Sequence, residues 1–195
     1  VVCTPHLGAS TEEAQTQVAV EAVHLLTNFL LTGEIRHAVN VASVHPKTLA
    51  ALRGQLDIAY RLGRFLAQWH EGSVESCALQ YRGEVAEKET RLLTSAFCAG
   101  LIENAMEEEV NIINAEMLLR ERGLKLTEET QSQSGVFRSA ITATLSVDGR
   151  KYVAGGTLFG NNMPRVIRLD DYRLEAYLDG ILLVFAHEDV PGIIG

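Results

Sequence analysis

The chain has 195 residues, enough for one large domain or one domain flanked by fragments, and its 47% apolar and 22% charged content is ordinary for a globular core. Seventeen basic against 25 acidic side chains leave a formal net charge of -8, which argues against a nucleic-acid-binding surface, where clustered positive charge would be needed. Cys3, Cys77 and Cys98 show neither CxxC nor cysteine–histidine ligand spacing, so buried free thiols in a reducing, cytoplasmic compartment are expected rather than a disulfide framework or a metal site.

In chain order, Val1 to Cys3 reads as the end of a buried strand stopped by Thr4 and Pro5. Ser10-Thr11-Glu12-Glu13 has capping-box spacing and predicts a helix to about Leu31, with Ala14, Val18, Ala22, Leu25 and Phe29 on its buried face and Gly33 at its end. Its apolar part, Val18 to Leu31, is interrupted by Glu21, His24 and Asn28, and is shorter than the roughly 18 to 20 uncharged residues of a membrane span, so no membrane partner is expected. The opening VVCTPHLGAS lacks both an initiator Met and the pattern of a signal peptide, and the chain is expected to be a piece of a larger enzyme.

A second helix is predicted from Lys47 to about His70 on the stripe Leu49, Leu52, Leu56, Ala59, Leu62, Leu66, Trp69. Residues 74–82 alternate, with Cys77, Leu79 and Tyr81 on one face of a strand. A third helix is expected over Glu87–Met106, and a short fourth capped by Asn114 and closed by Gly123. Ile141, Ala143, Leu145 and Val147 then alternate with polar residues, and Asp148-Gly149 signals a type I′ hairpin into Lys151–Phe159. Strands near Arg165–Leu169 and Arg173–Tyr177 follow, and Gly180 opens a last apolar strand, ILLVFAHE. Mixed helices and strands with an antiparallel meander at the end define an α+β fold, not a doubly wound sheet.

No glycine-rich dinucleotide loop, P-loop, nucleophile elbow, zinc-protease or calcium motif occurs. Glu107-Glu108-Glu109 would splay its carboxylates around a helix end, which makes a solvated face rather than a metal site. Chemical potential concentrates in Thr4-Pro5-His6-Leu7-Gly8-Ala9-Ser10, where an imidazole follows a strand end and a rigid proline. Arg138, Arg165, Arg168 and Arg173 gather on the meander strands of an otherwise acidic chain; Arg138 and Arg165 on one face could clamp a phosphate or carboxylate, the alternative being surface arginines paired with Asp170, Asp171 or Glu175.

The string TPHLGAST with EEAQ behind it resembles the catalytic-histidine segment of the NAD-dependent D-2-hydroxyacid dehydrogenases, and is most similar to the D-3-phosphoglycerate dehydrogenases of serine biosynthesis. Val39-Asn40, Val110–Ala115, Gly156–Gly160 and Pro164-Arg165-Val166 resemble further parts of the long form of that enzyme. GILLVFAHEDVPGIIG is similar to the first strand and turn of an ACT domain, which is ferredoxin-like.

The resemblance implies three pieces: residues 1–43, the tail of the NAD-binding and catalytic domains; 44–179, an intervening regulatory and assembly domain; and 180–195, the start of an ACT domain. It implies that His6 is the acid/base, that NAD serves the parent enzyme, and that this piece alone is inactive. It implies an effector turn at His187 and Asp189, where Asp189 stands in place of the family's Asn and lacks its amide donors. It further implies self-association, and an anionic phospho-hydroxy acid or L-serine as effector. Two other readings are weighed beside it. A purely amino-acid-sensing module has no use for the His6 loop. A relative of the iron–sulfur L-serine dehydratases would need clustered cysteines.

Overall fold

A computed structural model describes residues 8–32, 36–37, 46–107, 109–160, 162–185, 187–188 and 190. The predicted strand at Val1–Cys3 and the loop carrying His6 lie outside these residues. The chain divides into two compact units, Val1–Ala50 and Ala51–Gly195.

In the first unit, helix α1 spans Glu12–Thr32. Its cap sits one residue later than the expected Ser10: the Thr11 hydroxyl accepts the Ala14 amide at 3.2 Å, which satisfies one orphan donor of the first turn. Glu12 and Glu13 then fall in that first turn, where carboxylates favour the positive end of the helix. None of its side chains is buried, and Val18 and Phe29 stay exposed. Of the expected apolar face, Ala14 and Leu25 are half-buried.

Helix α2, Pro46–Trp69, opens on a proline, whose missing N–H costs nothing at a helix start. It runs into the second unit, where Leu52, Ile58, Ala59, Leu62 and Leu66 bury its stripe. Strand β1, Val74–Gly83, follows, with Cys77, Leu79 and Tyr81 turned inward as the alternation predicts. A short 3-10 turn at Glu84–Glu87 precedes helix α3, Thr90–Ile102, which therefore starts later and ends earlier than the sequence suggested.

Helix α4, Ala115–Glu121, begins at Asn114, but that side chain ties the preceding loop instead of capping the helix. Its Oδ1 accepts the Asn111 amide (2.8 Å) and its Nδ2 donates to the Glu109 carbonyl (2.9 Å). The C-terminus closes as expected: Gly123, at φ +79°, donates to the Arg120 carbonyl, and Leu124 donates to that of Leu119.

The remaining strands are β2 (Lys125–Gln131), β3 (Ser139–Val147), β4 (Arg150–Phe159), β5 (Met163–Leu169) and β6 (Tyr172–Tyr177). They form one six-stranded sheet in the order β2-β1-β3-β4-β5-β6. All neighbours are antiparallel except β1 and β2, whose parallel pairing the crossover through α3 and α4 makes possible. Asp148 (φ +48°) and Gly149 (φ +79°) both take the left-handed conformation that a type I′ turn requires.

One sheet face carries Cys77, Leu79, Tyr81, Ile141, Ala143, Leu145, Val147 and Ala154, which share one core with α2, α3 and α4. The Tyr81 hydroxyl, buried there, is paired with Thr94 Oγ1 at 2.7 Å. Helices α2 and α3 cross where Gly63 faces the Phe97 carbonyl and Gly100 faces the Tyr60 carbonyl. Arg61 ties the far end of the sheet to α2, its Nε on Asp57 (2.8 Å) and its Nη1 donating to the Leu178 carbonyl (2.8 Å). Beyond it, residues 181–185 form no strand and are exposed, in contrast to the strand expected after Gly180. An apolar run becomes a strand only beside a ladder partner, and no described residue offers one.

Cys77 and Cys98 are both buried free thiols. Desolvation, reinforced by the neighbouring Glu116 carboxylate, pushes the Cys98 thiol up to about 12, and burial raises Cys77 too. Both are therefore protonated in the native protein, and that contribution to stability is present below the ordinary thiol range and lost as pH rises towards 12. In a Cys3→Ser variant we expect no reaction with Ellman's reagent at pH 8 until denaturant is added. Rapid titration of a thiol in the native protein would contradict this burial.

Candidate functional site

The sheet face turned away from the helices carries the arginines. Arg165 on β5 lies opposite Thr157 of β4 and Tyr177 of β6. Only 7% of it is exposed, which is unusual for a permanently charged side chain. Its guanidinium carbon stands 3.3 Å from the centroid of the Tyr177 ring and 5.9 Å from that of Phe159. Its Nε is 3.7 Å from Glu175 Oε1, and its Nη1 donates to the Pro164 carbonyl at 3.3 Å. Two aromatic faces replace part of the lost hydration. The one carboxylate is itself 61% exposed and is not in a short bidentate pair, so the guanidinium keeps donor capacity for another anion.

Arg168 is three residues along the same strand and would project to the opposite face of a regular strand. A bulge at Ile167 prevents this: Gly155 pairs with Arg168 while Gly156 pairs with Val166, so the extra residue returns Arg168 to the face of Arg165. Arg168 Nε donates to the Asp170 carbonyl at 2.7 Å, and Arg173 of β6 lies directly opposite it. Arg165, Arg168 and Arg173 thus share one face of the β5–β6 hairpin.

Arg138, just before β3, is not held against them. Its side chain is 82% exposed, with Nε 3.4 Å from Glu84 Oε1. It is linked to the Arg165 cradle through its neighbour Phe137, whose ring packs edge-on against Phe159 at 5.9 Å. The aromatic walls Phe159 and Tyr177 were not picked out from the sequence, whereas Glu175 was one of the carboxylates expected to pair with the arginines. The Asp170-Asp171 turn was a partial signal: a two-residue loop pairs Leu169 with Tyr172 and would set residue 176 across from 165, and the register shift between Val166 and Arg168 moves Tyr177 into that place.

His187 is exposed; its ring stacks on Phe185 at 5.8 Å and its Nδ1 donates to the Glu188 carbonyl at 2.8 Å. Asp189 and His6 lie outside the described residues. No described helix is long and apolar enough to cross a membrane.

An α+β domain with helices on one side of a mixed sheet and a cradled arginine on the other is the class the coordinates define. Residues 51–170 match the sequence profile of the D-3-phosphoglycerate dehydrogenase intervening domain, and the chain belongs to that family. Over its whole length it is similar to proteins named D-3-phosphoglycerate dehydrogenase: 33% identical to that of Synechocystis sp., 32% to that of Methanocaldococcus jannaschii and 28% to that of Bacillus subtilis. It spans 35%, 37% and 37% of those relatives' own lengths.

Proposed function

We propose that the chain is part of an NAD-dependent D-3-phosphoglycerate dehydrogenase, which opens L-serine synthesis, and that residues 44–179 are its assembly and effector-sensing domain. Residues 1–43 then belong to the catalytic part and 180–195 to an ACT sensor, with His187 and Asp189 at its effector turn. His6 keeps the acid/base role that its segment resembles. The chain contains no glycine-rich phosphate loop to seat NAD, so no hydride step is assigned to its residues, and these 195 residues alone turn over no phosphoglycerate.

The observation that supports a sensing role is the nearly buried Arg165, cradled between Tyr177 and Phe159, with Arg168 and Arg173 along the same face of a protein of net charge -8. A small phosphorylated hydroxy acid fits this chemistry: its phosphate accepts from the planar fork of Arg165 and from Arg168, and Arg138 is the outlying third donor. Isothermal titration of 3-phosphoglycerate into the chain should give a binding heat. Arg165→Ala should weaken it by about 10- to 100-fold, the equivalent of one charge-assisted hydrogen-bonding group. Arg138→Ala should weaken it only a few-fold. An unchanged titration in Arg165→Ala would dismiss the site.

A further inference from the structure

We propose that the free edge of β6 pairs with β6 of a second copy of this chain, antiparallel about a two-fold axis through Leu174, so that two sheets become one. The inference rests on the assembly role proposed above and names the surface that performs it.

Strand β6 ends the sheet and has a neighbour on one side only. The Leu178 amide donates inward to the Pro164 carbonyl at 3.2 Å, so even-numbered residues turn their backbone groups to β5. By alternation the N–H and C=O groups of Arg173 and Glu175 point outward, with no ladder partner among the described strands. Among the described residues no strand covers this edge, which carries no proline, and Tyr172 and Tyr177 are both exposed.

Its side chains are self-complementary in one register. Placing Leu174 on the axis sets Arg173 opposite Glu175 of the second copy and Glu175 opposite its Arg173, both as hydrogen-bonded antiparallel pairs. Moving the axis one residue either way sets Arg173 against Arg173 or Glu175 against Glu175, which like-charge repulsion disfavours.

The isolated chain also carries an electrostatic debt at this edge. Arg173 lies directly across from Arg168, a like-charged cross-strand pair. Among the described residues it has no ion-pair partner, whereas Glu175 is exposed enough to meet a second guanidinium beside Arg165. An incoming carboxylate next to Arg173 relieves that repulsion. A two-fold operator supplies it twice, as an isologous interface must.

Sedimentation of the 195-residue chain at about 100 μM should show a dimer, and R173E and E175R should each be monomeric with unchanged circular dichroism. Each single variant makes its own edge uniformly charged, but the two are complementary to one another, so mixing them should restore a 1:1 dimer. Leu174→Cys should cross-link between copies on mild oxidation beyond the wild-type background. Residues on the axis of a non-hydrogen-bonded pair stand about 4.5 Å apart at Cα, within disulfide range. Dimers that persist in both single variants would overturn this edge while leaving the assembly role standing. A monomeric wild type would overturn both.

Discussion

Gly100→Ala is expected to cost about 2–3 kcal/mol, although alanine is the better helix former by roughly 1 kcal/mol. The reason lies at the crossing of α2 and α3. A Cβ at Gly100 meets the Tyr60 carbonyl and lies 3.0 Å from the Arg64 amide nitrogen, while one at Gly63 meets the Phe97 carbonyl and lies 2.9 Å from the Leu101 nitrogen. Each obstacle is backbone of the opposing helix, which cannot rotate away as a side chain can. The helices must separate, and the core between them and the sheet opens with them. For a chain of this size the loss lowers the melting temperature by roughly 5–10 °C. Gly54→Ala is the comparison, since its Cβ would meet side-chain atoms of Asn162 and Leu158 rather than the backbone of another helix. A Gly100→Ala protein that melts with the wild type would show that the two helices do not approach this closely.

Phe97→Ala should be costlier, about 3–5 kcal/mol, against about 1 kcal/mol for the volume-conserving Phe97→Leu. Phe97 is fully buried on a helix with ten of its 13 residues buried, and it shares one core with Leu62 of α2 and Leu79 of β1. Removing the ring leaves a cavity bounded by three elements that cannot all collapse at once. Since domains of this kind are stable by only about 5–15 kcal/mol, the alanine variant should lose a large fraction of its margin and its urea midpoint should fall by about 2 M. A shift under about 0.3 M would mean the ring is not central to the core.

What the sequence discloses depends on where each element finds its stabilisation. The β3–β4 hairpin is legible because both its signals are local: strict alternation from Ile141 to Val147, and an Asp-Gly pair suited to two left-handed residues. Strand β2 is not legible. KLTEETQ is mostly exposed and has no apolar alternation to mark it, and it is a strand because β1 supplies a parallel ladder from Ser76 to Arg82. The same dependence on a partner leaves the apolar run 181–185 without strand structure. Ser10 and Thr11 are chemically similar caps, and the choice between them falls to the geometry of the first turn.

For the site, position on the meander strands collected Arg138, Arg165, Arg168 and Arg173 as one group. Whether Arg168 joins Arg165 depends on the bulge at Ile167, a property of the pairing between strands rather than of β5 itself. The partners of Arg165 were hidden for a related reason. Tyr177 is distant in sequence, and it stands beside the guanidinium only once the hairpin register is fixed.

The bond from Arg61 to the Leu178 carbonyl has a mechanical meaning. An edge strand pulled from its end would unzip from its neighbour one hydrogen bond at a time, the weakest way to load a sheet. Here tension arriving through residues 179–185 meets Arg61 first, and Asp57 passes it along the axis of a long helix packed on the core. The strand is thus anchored at its root as well as along its ladder.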